Sequence, residues 1–357
     1  MSHSDVTRRQ FIKTTTVATA AFGAASSLAS QTASAANDAQ TKKRRWMDTH
    51  IHVSDIGPDG KKQEKMLEDL LELLDRCDAD LRFAISCDFP YASRIGTDPA
   101  AMMVGNRMIY DLCRRAPGRL FGSCMVNPNF LDESLRVMKT CFEEWGFVQL
   151  GEMLTYSHKY KMQDPGTEKV VQSAAHYQVP VQVHLGTYWH KKGGLSGDGM
   201  NQMTDLLAIA ERVPKAKYIL AHAIGCGPTP DYISWADMFL DTLKGVFPKY
   251  PDNFWVEIRD FQCAALPRTL REVPVTRLLS GTDWTTRIGP PFQNYGTMFG
   301  VKEGGNPFPP KVESFVGFLR KAGATESDIA RVGCENAREL YKPTFPGCSS
   351  QPAGREL

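Results

Sequence analysis

Two histidines stand one residue apart in Asp48-Thr49-His50-Ile51-His52, in a chain that has eight in all. On a strand, alternate side chains share a face, so these imidazoles project together from Cα atoms about 7 Å apart. At that separation two ring nitrogens can converge on one cation. Two histidines packed into a core would show the same spacing, so the rest of the chain has to separate the readings. His184 ends the run Val181-Gln182-Val183-His184-Leu185-Gly186, and His222 lies late in Leu220-Ala221-His222-Ala223-Ile224-Gly225. Asp283 follows Leu279-Ser280-Gly281-Thr282. Four histidines and one aspartate thus fall near the ends of four apolar runs. A buried carboxylate needs a compensating charge, which a divalent cation supplies. Imidazole nitrogen and carboxylate oxygen suit zinc, the expected ion, and also iron, manganese or cobalt. A cation lowers the pKa of the water it holds towards 7. A carboxylate beside it can take the proton. An imidazole opposite can stabilise charge on the attacked oxygen.

Such side chains need strands to carry them. Eight short runs rich in β-branched and aromatic residues read as strands, at 45–53, 81–87, 120–127, 147–153, 179–186, 218–225, 254–260 and 277–284. Helical patterns lie between and after them, at 62–77, 99–115, 131–145, 166–177, 200–213, 231–247, 264–272, 311–322 and 326–341. In the first, Met66, Leu67, Leu70, Leu71, Leu73 and Leu74 recur at helical spacing. Strands each followed by a helix predict an α/β fold, a single-domain (β/α)8 TIM barrel over 45–341. The competing architecture, an open doubly wound sheet, lacks a GxGxxG after any strand. In a barrel the histidines and Asp283 fall at the C-terminal ends of strands 1, 5, 6 and 8, the face where barrel active sites lie.

The ends of the chain carry different information. Thr7-Arg8-Arg9-Gln10-Phe11-Ile12-Lys13 precedes a weakly apolar Ala/Thr-rich stretch and then Ala33-Ser34-Ala35, an A-x-A cleavage signal. The paired arginines resemble a twin-arginine export signal over 1–35, so the export machinery is an expected partner and the destination is periplasmic or secreted. Residues 36–44 read as a linker and 342–357 as a Pro/Gly/Ser-rich tail. The apolar stretch is too poor in Leu and Ile for a membrane anchor. Net charge is +2, and part of the basicity sits in the first 45 residues, so nothing points to nucleic acid. Nine cysteines without a CxxC pair exclude a disulfide scaffold and a thiolate zinc ribbon. The oligomeric state is open, a homo-oligomer included.

His-x-His on strand 1, His on strands 5 and 6 and Asp after strand 8 resembles the metal-dependent amidohydrolase superfamily. The closing Val332-Gly333-Cys334-Glu335-Asn336-Ala337-Arg338-Glu339-Leu340-Tyr341 is similar to the terminal helix of its amidohydrolase-related branch, the one that includes aminocarboxymuconate-semialdehyde decarboxylase. The resemblance spans Trp46 to Tyr341. It implies that His50, His52 and His184 hold a metal, and that Asp283 touches the ion and moves the proton of its water. It also implies that His222 hydrogen-bonds the substrate or its developing oxyanion. Glu152 ends strand 4 where binuclear members carry a bridging carboxylate. It either bridges two ions or contacts substrate or a neighbouring histidine; the branch favours one ion, and Glu152 admits two. Arg259 follows strand 7 and could pair with a substrate carboxylate or with Asp260 or another loop acid. Tyr156, His158 and Trp189 lie just past strands 4 and 5, where aromatic loop residues line a substrate pocket or pack loops together. The expected activity is metal-assisted hydrolysis of an amide, lactone or ester in a small organic substrate. Non-oxidative decarboxylation or hydration is the alternative within the branch. A non-catalytic exported barrel that binds metal or solute is the alternative from another class.

Overall fold

Continuous apolar runs are stable as strands where both faces are covered, and here helices cover the outer one. The computed structural model describes residues 44–52, 67–68, 71, 79–86, 94–186, 189–190, 194–195, 198–224, 233–285 and 312–342. All belong to one unit, Lys43–Leu357. The signal-like segment, most of the linker, nearly all of the expected helix 62–77 and the tail past 342 lie outside the described residues.

Seven parallel strands run in chain order: β1 Arg44–His52, β2 Ala79–Ser86, β3 Leu120–Cys124, β4 Gln149–Met153, β5 Val181–His184, β6 Tyr218–Ile224 and β7 Phe254–Ile258. The eighth, β8, is made of two short pieces, Leu278–Ser280 and Trp284–Thr285. Each strand pairs in parallel with the next. The first piece of β8 pairs with β7 and the second with β1, so one stretch closes the sheet on itself as the expected (β/α)8 barrel.

The closing seam is tied by side chains of β1. The Trp46 indole N–H donates to Ser280 Oγ (2.9 Å), and the Thr49 hydroxyl donates to the Ser280 carbonyl (3.1 Å). Asp48 accepts from the Thr282 backbone N–H at 2.9 Å and from the Thr282 hydroxyl at 2.6 Å. The Asp283 N–H donates to the His50 carbonyl (2.8 Å), which sets the last strand against the His-x-His turn.

Outside the sheet lie α1 Ala100–Arg115, α2 Leu131–Lys139, α3 Pro165–His176, α4 Asp198–Arg212, α5 Ile233–Lys249, α6 Leu266–Glu272 and α7 Val312–Lys321. In α1 the buried Met102, Asn106, Ile109 and Leu112 fall on one face, and Arg114 and Arg115 sit at its C-terminal end, where the helix dipole favours them. Among the described residues no helix is long and apolar enough to cross a membrane. The expected helix 131–145 ends in a π-helical turn, Thr140–Glu144.

The expected helix 326–341 is likewise broken. It consists of α8 Glu326–Ala330, a π turn Arg331–Glu335 and α9 Asn336–Tyr341. Thr325 and Asp328 form a capping box at its start. The turn lets Gly333 face the Trp46 ring, where an added Cβ would meet the indole at 2.5 Å. The Asn336 amide donates to the carbonyls of Val275 and Leu278 at the entry to β8. Leu340 and Tyr341 pack with Met47, Val148, Ile219, Trp255 and Leu279, closing the barrel at the N-terminal ends of its strands.

Candidate active site

The opposite end of the barrel carries the polar side chains, and the strands deliver them through irregularities. The β1–β2 pairing shifts register between Asp48 and Ile51, the interval that holds His50. The β4–β5 pairing shifts between Leu150 and Met153 around Glu152, and the β6–β7 pairing between Leu220 and Ile224 around His222. Asp283 sits in the gap between the two pieces of β8. Such bulges re-aim side chains that strict alternation would direct elsewhere. His222 (φ 43°) and Asp283 (φ 53°) occupy the left-handed region, a strained backbone for residues with a Cβ. Gly151 (φ 117°) is required beside Glu152, since a methyl there would lie 2.3 Å from the Gln182 carbonyl oxygen.

His50 Nε2 lies 3.2 Å from His52 Nε2, 3.5 Å from Glu152 Oε2 and 3.4 Å from Asp283 Oδ1. His52 Nε2 lies 3.6 Å from Glu152 Oε2 and 3.1 Å from Asp283 Oδ1. A tetrahedron built on metal–ligand bonds of about 2.0–2.2 Å has edges of about 3.3–3.6 Å. These four atoms therefore stand as donors around a single cation do, and the residues fit a divalent ion. The other carboxylate oxygen, Glu152 Oε1, faces away from this cluster. It lies 2.7 Å from His184 Nδ1 and 2.9 Å from His222 Nε2. The resemblance grouped His184 with the His-x-His pair. The structure places Glu152 beside that pair and groups His184 with His222 across it, a second set of possible ligands that corresponds to the binuclear alternative in which Glu152 bridges.

Charge explains what the cluster demands. Burial alone would lower the His52 imidazole, but hydrogen bonding to Asp283 and Glu152 raises it to about 9. His50 is likewise raised well above its ordinary value, against burial, by Glu257, Asp283 and Glu152. Against the same desolvation, Arg259, His50 and His52 hold Asp283 well below the usual carboxylate range, and His50, His184 and His222 do so for Glu152. The carboxylates hold protons on the imidazoles where a cation can stand. Glu152 and Asp283 are the carboxylates held ionised against His50 and His52, while burial raises Glu257 above its ordinary value. Asp48 is no fixed charge, because burial pushes it up to about 7.

An ionised carboxylate only accepts hydrogen bonds, so Glu152 Oε1 fixes both tautomers across it. His184 donates from Nδ1 and His222 from Nε2. When both rings are neutral, His184 Nε2 and His222 Nδ1 are the lone-pair nitrogens, both buried and without a partner among the described residues. Burial and the neighbouring His184 lower the His222 imidazole to about 4, so it is neutral near pH 7.

The remaining expected residues divide. Arg259, buried, lies with Nη2 3.1 Å from Asp283 Oδ2, so its acid partner is the site aspartate rather than Asp260. Tyr156 is 48% exposed and its ring centroid lies 4.6 Å from that of His184, at the mouth. His158 is buried next to Tyr160, and its carbonyl accepts from Asn129. Trp189 and His190 form a short antiparallel ladder with Gly194 and Leu195, while the Trp189 side chain lies outside the described residues. Sequence reasoning passed over Glu257, fully buried on β7 with Oε1 2.7 Å from His50 Nδ1. Its signal was a single charge inside the apolar Phe254-Trp255-Val256-Glu257-Ile258.

The fold is similar to that of several solved enzymes. One is a 5-carboxyvanillate decarboxylase from Novosphingobium aromaticivorans complexed with manganese and 4-hydroxy-3-methoxy-5-nitrobenzoic acid (TM-score 0.57, 11% identity, covering 85% of this chain and 97% of that one). Another is 2,6-dihydroxybenzoate decarboxylase from Rhizobium (TM-score 0.55, 15% identity, 85% and 99%). A third is 4-oxalomesaconate hydratase from Rhodopseudomonas palustris (TM-score 0.53, 14% identity, 84% and 96%). At such identities the likeness establishes the fold. No curated protein matches the chain in sequence. The amidohydrolase family profile matches residues 47–342, from within the His-x-His strand to just past the terminal helix. By that match the chain belongs to the amidohydrolase family, in the branch that includes decarboxylases and hydratases.

Proposed function

We propose that this protein is a metal-dependent hydrolase that cleaves an ester, lactone or amide in a small organic substrate. The observation that carries the reading is the pair of lone-pair nitrogens, His184 Nε2 and His222 Nδ1, each with its N–H turned onto Glu152. His50, His52, Glu152 and Asp283 would hold one divalent cation, zinc or manganese, which when bound supplies Lewis acidity to a substrate oxygen or to water. One of the two imidazoles takes the proton of the attacking water. Glu152 stabilises the imidazolium so formed, as a carboxylate does behind a general-base histidine. The same N–H then returns the proton to the leaving oxygen or nitrogen. Asp283 is held by Arg259 and stays ionised, which suits a ligand. Tyr156 at the mouth offers an aromatic face to the substrate.

Decarboxylation is the second reading, favoured by the decarboxylases of the same fold and by the aromatic acid bound in one of them. That reaction needs a proton donor at carbon and a cation for the substrate carboxylate. Here the two unpartnered imidazole nitrogens are acceptors, and Arg259 is engaged by Asp283. The deciding experiment offers the metal-loaded enzyme a panel of aromatic esters, lactones, amides and hydroxybenzoic acids, and follows acid release and CO2 release together. Hydrolysis without CO2 is expected, with His184→Asn or His222→Asn lowering turnover about 10²–10⁴-fold, the scale of lost acid–base catalysis. CO2 release from a benzoate with no hydrolysis on the panel would replace this reading with the second. The proposal also places the enzyme outside the cytoplasm, on the strength of Arg8-Arg9 and Ala33-Ser34-Ala35. Normal appearance of the mature form outside the cytoplasm after Arg8→Lys with Arg9→Lys would remove the twin-arginine route.

A further inference from the structure

Glu257 is one end of a hydrogen-bonded line that crosses the barrel interior. Its Oε1 lies 2.7 Å from His50 Nδ1, and its Oε2 accepts from Gln182 Nε2 at 2.9 Å. Gln182 Oε1 accepts from Gln149 Nε2 at 2.9 Å, and Gln149 Oε1 accepts from the Tyr341 hydroxyl. His50, Glu257, Gln182, Gln149 and Tyr341 are all fully buried. The line thus joins a donor atom of the metal cluster to the last residue of α9, at the opposite end of the barrel.

Chemistry fixes its direction. A carboxylate only accepts, so Gln182 must present its NH2 to Glu257 and its oxygen to Gln149. Gln149 must then present its NH2 to Gln182 and its oxygen to Tyr341, which has a proton to give. Every donor points towards Glu257. The same carboxylate requires His50 to keep a proton on Nδ1, so Nε2 is the atom that gives up its proton to present a lone pair on the side of His52, Glu152 and Asp283. Gly281 makes the room, since a Cβ there would lie 2.4 Å from the Glu257 carboxyl carbon.

We infer that Glu257, oriented by Gln182, Gln149 and Tyr341, is a positioning residue that sets the tautomer and ring angle of His50 for metal binding. The inference rests on the assignment of a cation to the His50 cluster, not on which reaction follows. Partners behind a ligating histidine commonly change metal affinity about 10–100-fold when removed. Tyr341 acts from four hydrogen bonds away, so its loss should act in the same direction and more weakly.

The test measures Mn²⁺ affinity by equilibrium dialysis and the visible spectrum of the Co²⁺-loaded protein, for the full chain and for Glu257→Gln and Tyr341→Phe. Glu257→Gln should weaken Mn²⁺ binding about 10–100-fold and alter the Co²⁺ bands. Tyr341→Phe, which removes one hydroxyl and keeps the ring, should fold and weaken binding a few-fold. Unchanged affinity and bands in a folded Glu257→Gln would overturn the inference. If Glu257→Gln does not fold, Tyr341→Phe decides: wild-type affinity there overturns the line, and a few-fold loss supports it. A wild-type chain that takes up neither ion overturns the metal assignment and this inference with it. That outcome is distinct from a wild type that binds and variants that bind equally well.

Discussion

Glu152 decides how many ions this site takes. Its two oxygens face different partners: Oε2 the His50–His52–Asp283 cluster, Oε1 the two imidazoles beyond. The Oε1 contacts have hydrogen-bond lengths, and four donor atoms already surround the place of one ion on the Oε2 side. Loaded protein should therefore contain about one equivalent by elemental analysis. Glu152→Gln should weaken affinity without halving the content at saturating metal. Two equivalents in the wild type, falling towards one in the variant, would make Glu152 a bridge. Asp260 supplies a separate test, of stability. Its Oδ1 accepts from the Gln262 N–H, Oδ2 is buried without a partner among the described residues, and burial pushes the carboxyl from 3.8 to about 7, against Gln262 and Arg259. Between those values the native state holds a proton that the unfolded chain has lost. Asp260 therefore contributes full stability below about pH 4 and loses it as pH rises through 7. Asp260→Asn should flatten that decline, read as a smaller drop in melting temperature from pH 5 to pH 8 than in the wild type.

At the scale of elements, the seam between β1 and β8 holds the metal ligands in register. Asp48 accepts the Thr282 N–H and hydroxyl and lies 3.2 Å from the His50 N–H. Asp48→Ala leaves these buried donors unpaired and should cost about 1–3 kcal/mol in chemical denaturation. It should also weaken metal binding, because His50 and Asp283 sit on the two sides of the seam. An equal loss of stability with unchanged metal affinity would show that the ligands keep their places without it. The staves themselves were legible in the sequence, because a strand covered on both faces leaves a continuous apolar run such as Tyr218–Ile224. His50, His52, His184, His222, Glu152 and Asp283 were legible as strand-end residues for the same reason. Their grouping was legible only as the alternative in which Glu152 lies between the two sets of histidines. The register shifts around His50, Glu152 and His222 arise from ring closure, which no local pattern encodes, and they bring Glu152 to the His-x-His pair. Glu257 stood in plain view as a lone charge in a strand, but its partners His50 and Gln182 come from β1 and β5. The π turn at Arg331–Glu335 depends on Trp46, nearly three hundred residues earlier.

At the scale of the whole molecule, the cluster draws on β1, β4 and the closing strand, so a bound ion ties together parts of the chain that meet only in the finished barrel. Free metal at 100 times its dissociation constant should add about 2.7 kcal/mol to stability. Chelation should accordingly lower the melting temperature of the wild type and leave that of His50→Ala with His52→Ala unchanged. A chelator that moves both equally would place the stabilising ion elsewhere. The seam has one more consequence, in time rather than space. Thr282 meets Asp48 across 234 residues. At roughly 5–20 residues per second, a ribosome needs roughly 10–50 s to travel between them. Throughout that interval the nascent chain exposes a two-histidine chelate that lacks its aspartate and has no fixed Glu152. An ion met then is held by half a site and exchanges freely. Selection among metals waits for the last strand, and the compartment in which that strand closes the ring is the one whose metal pool fills it.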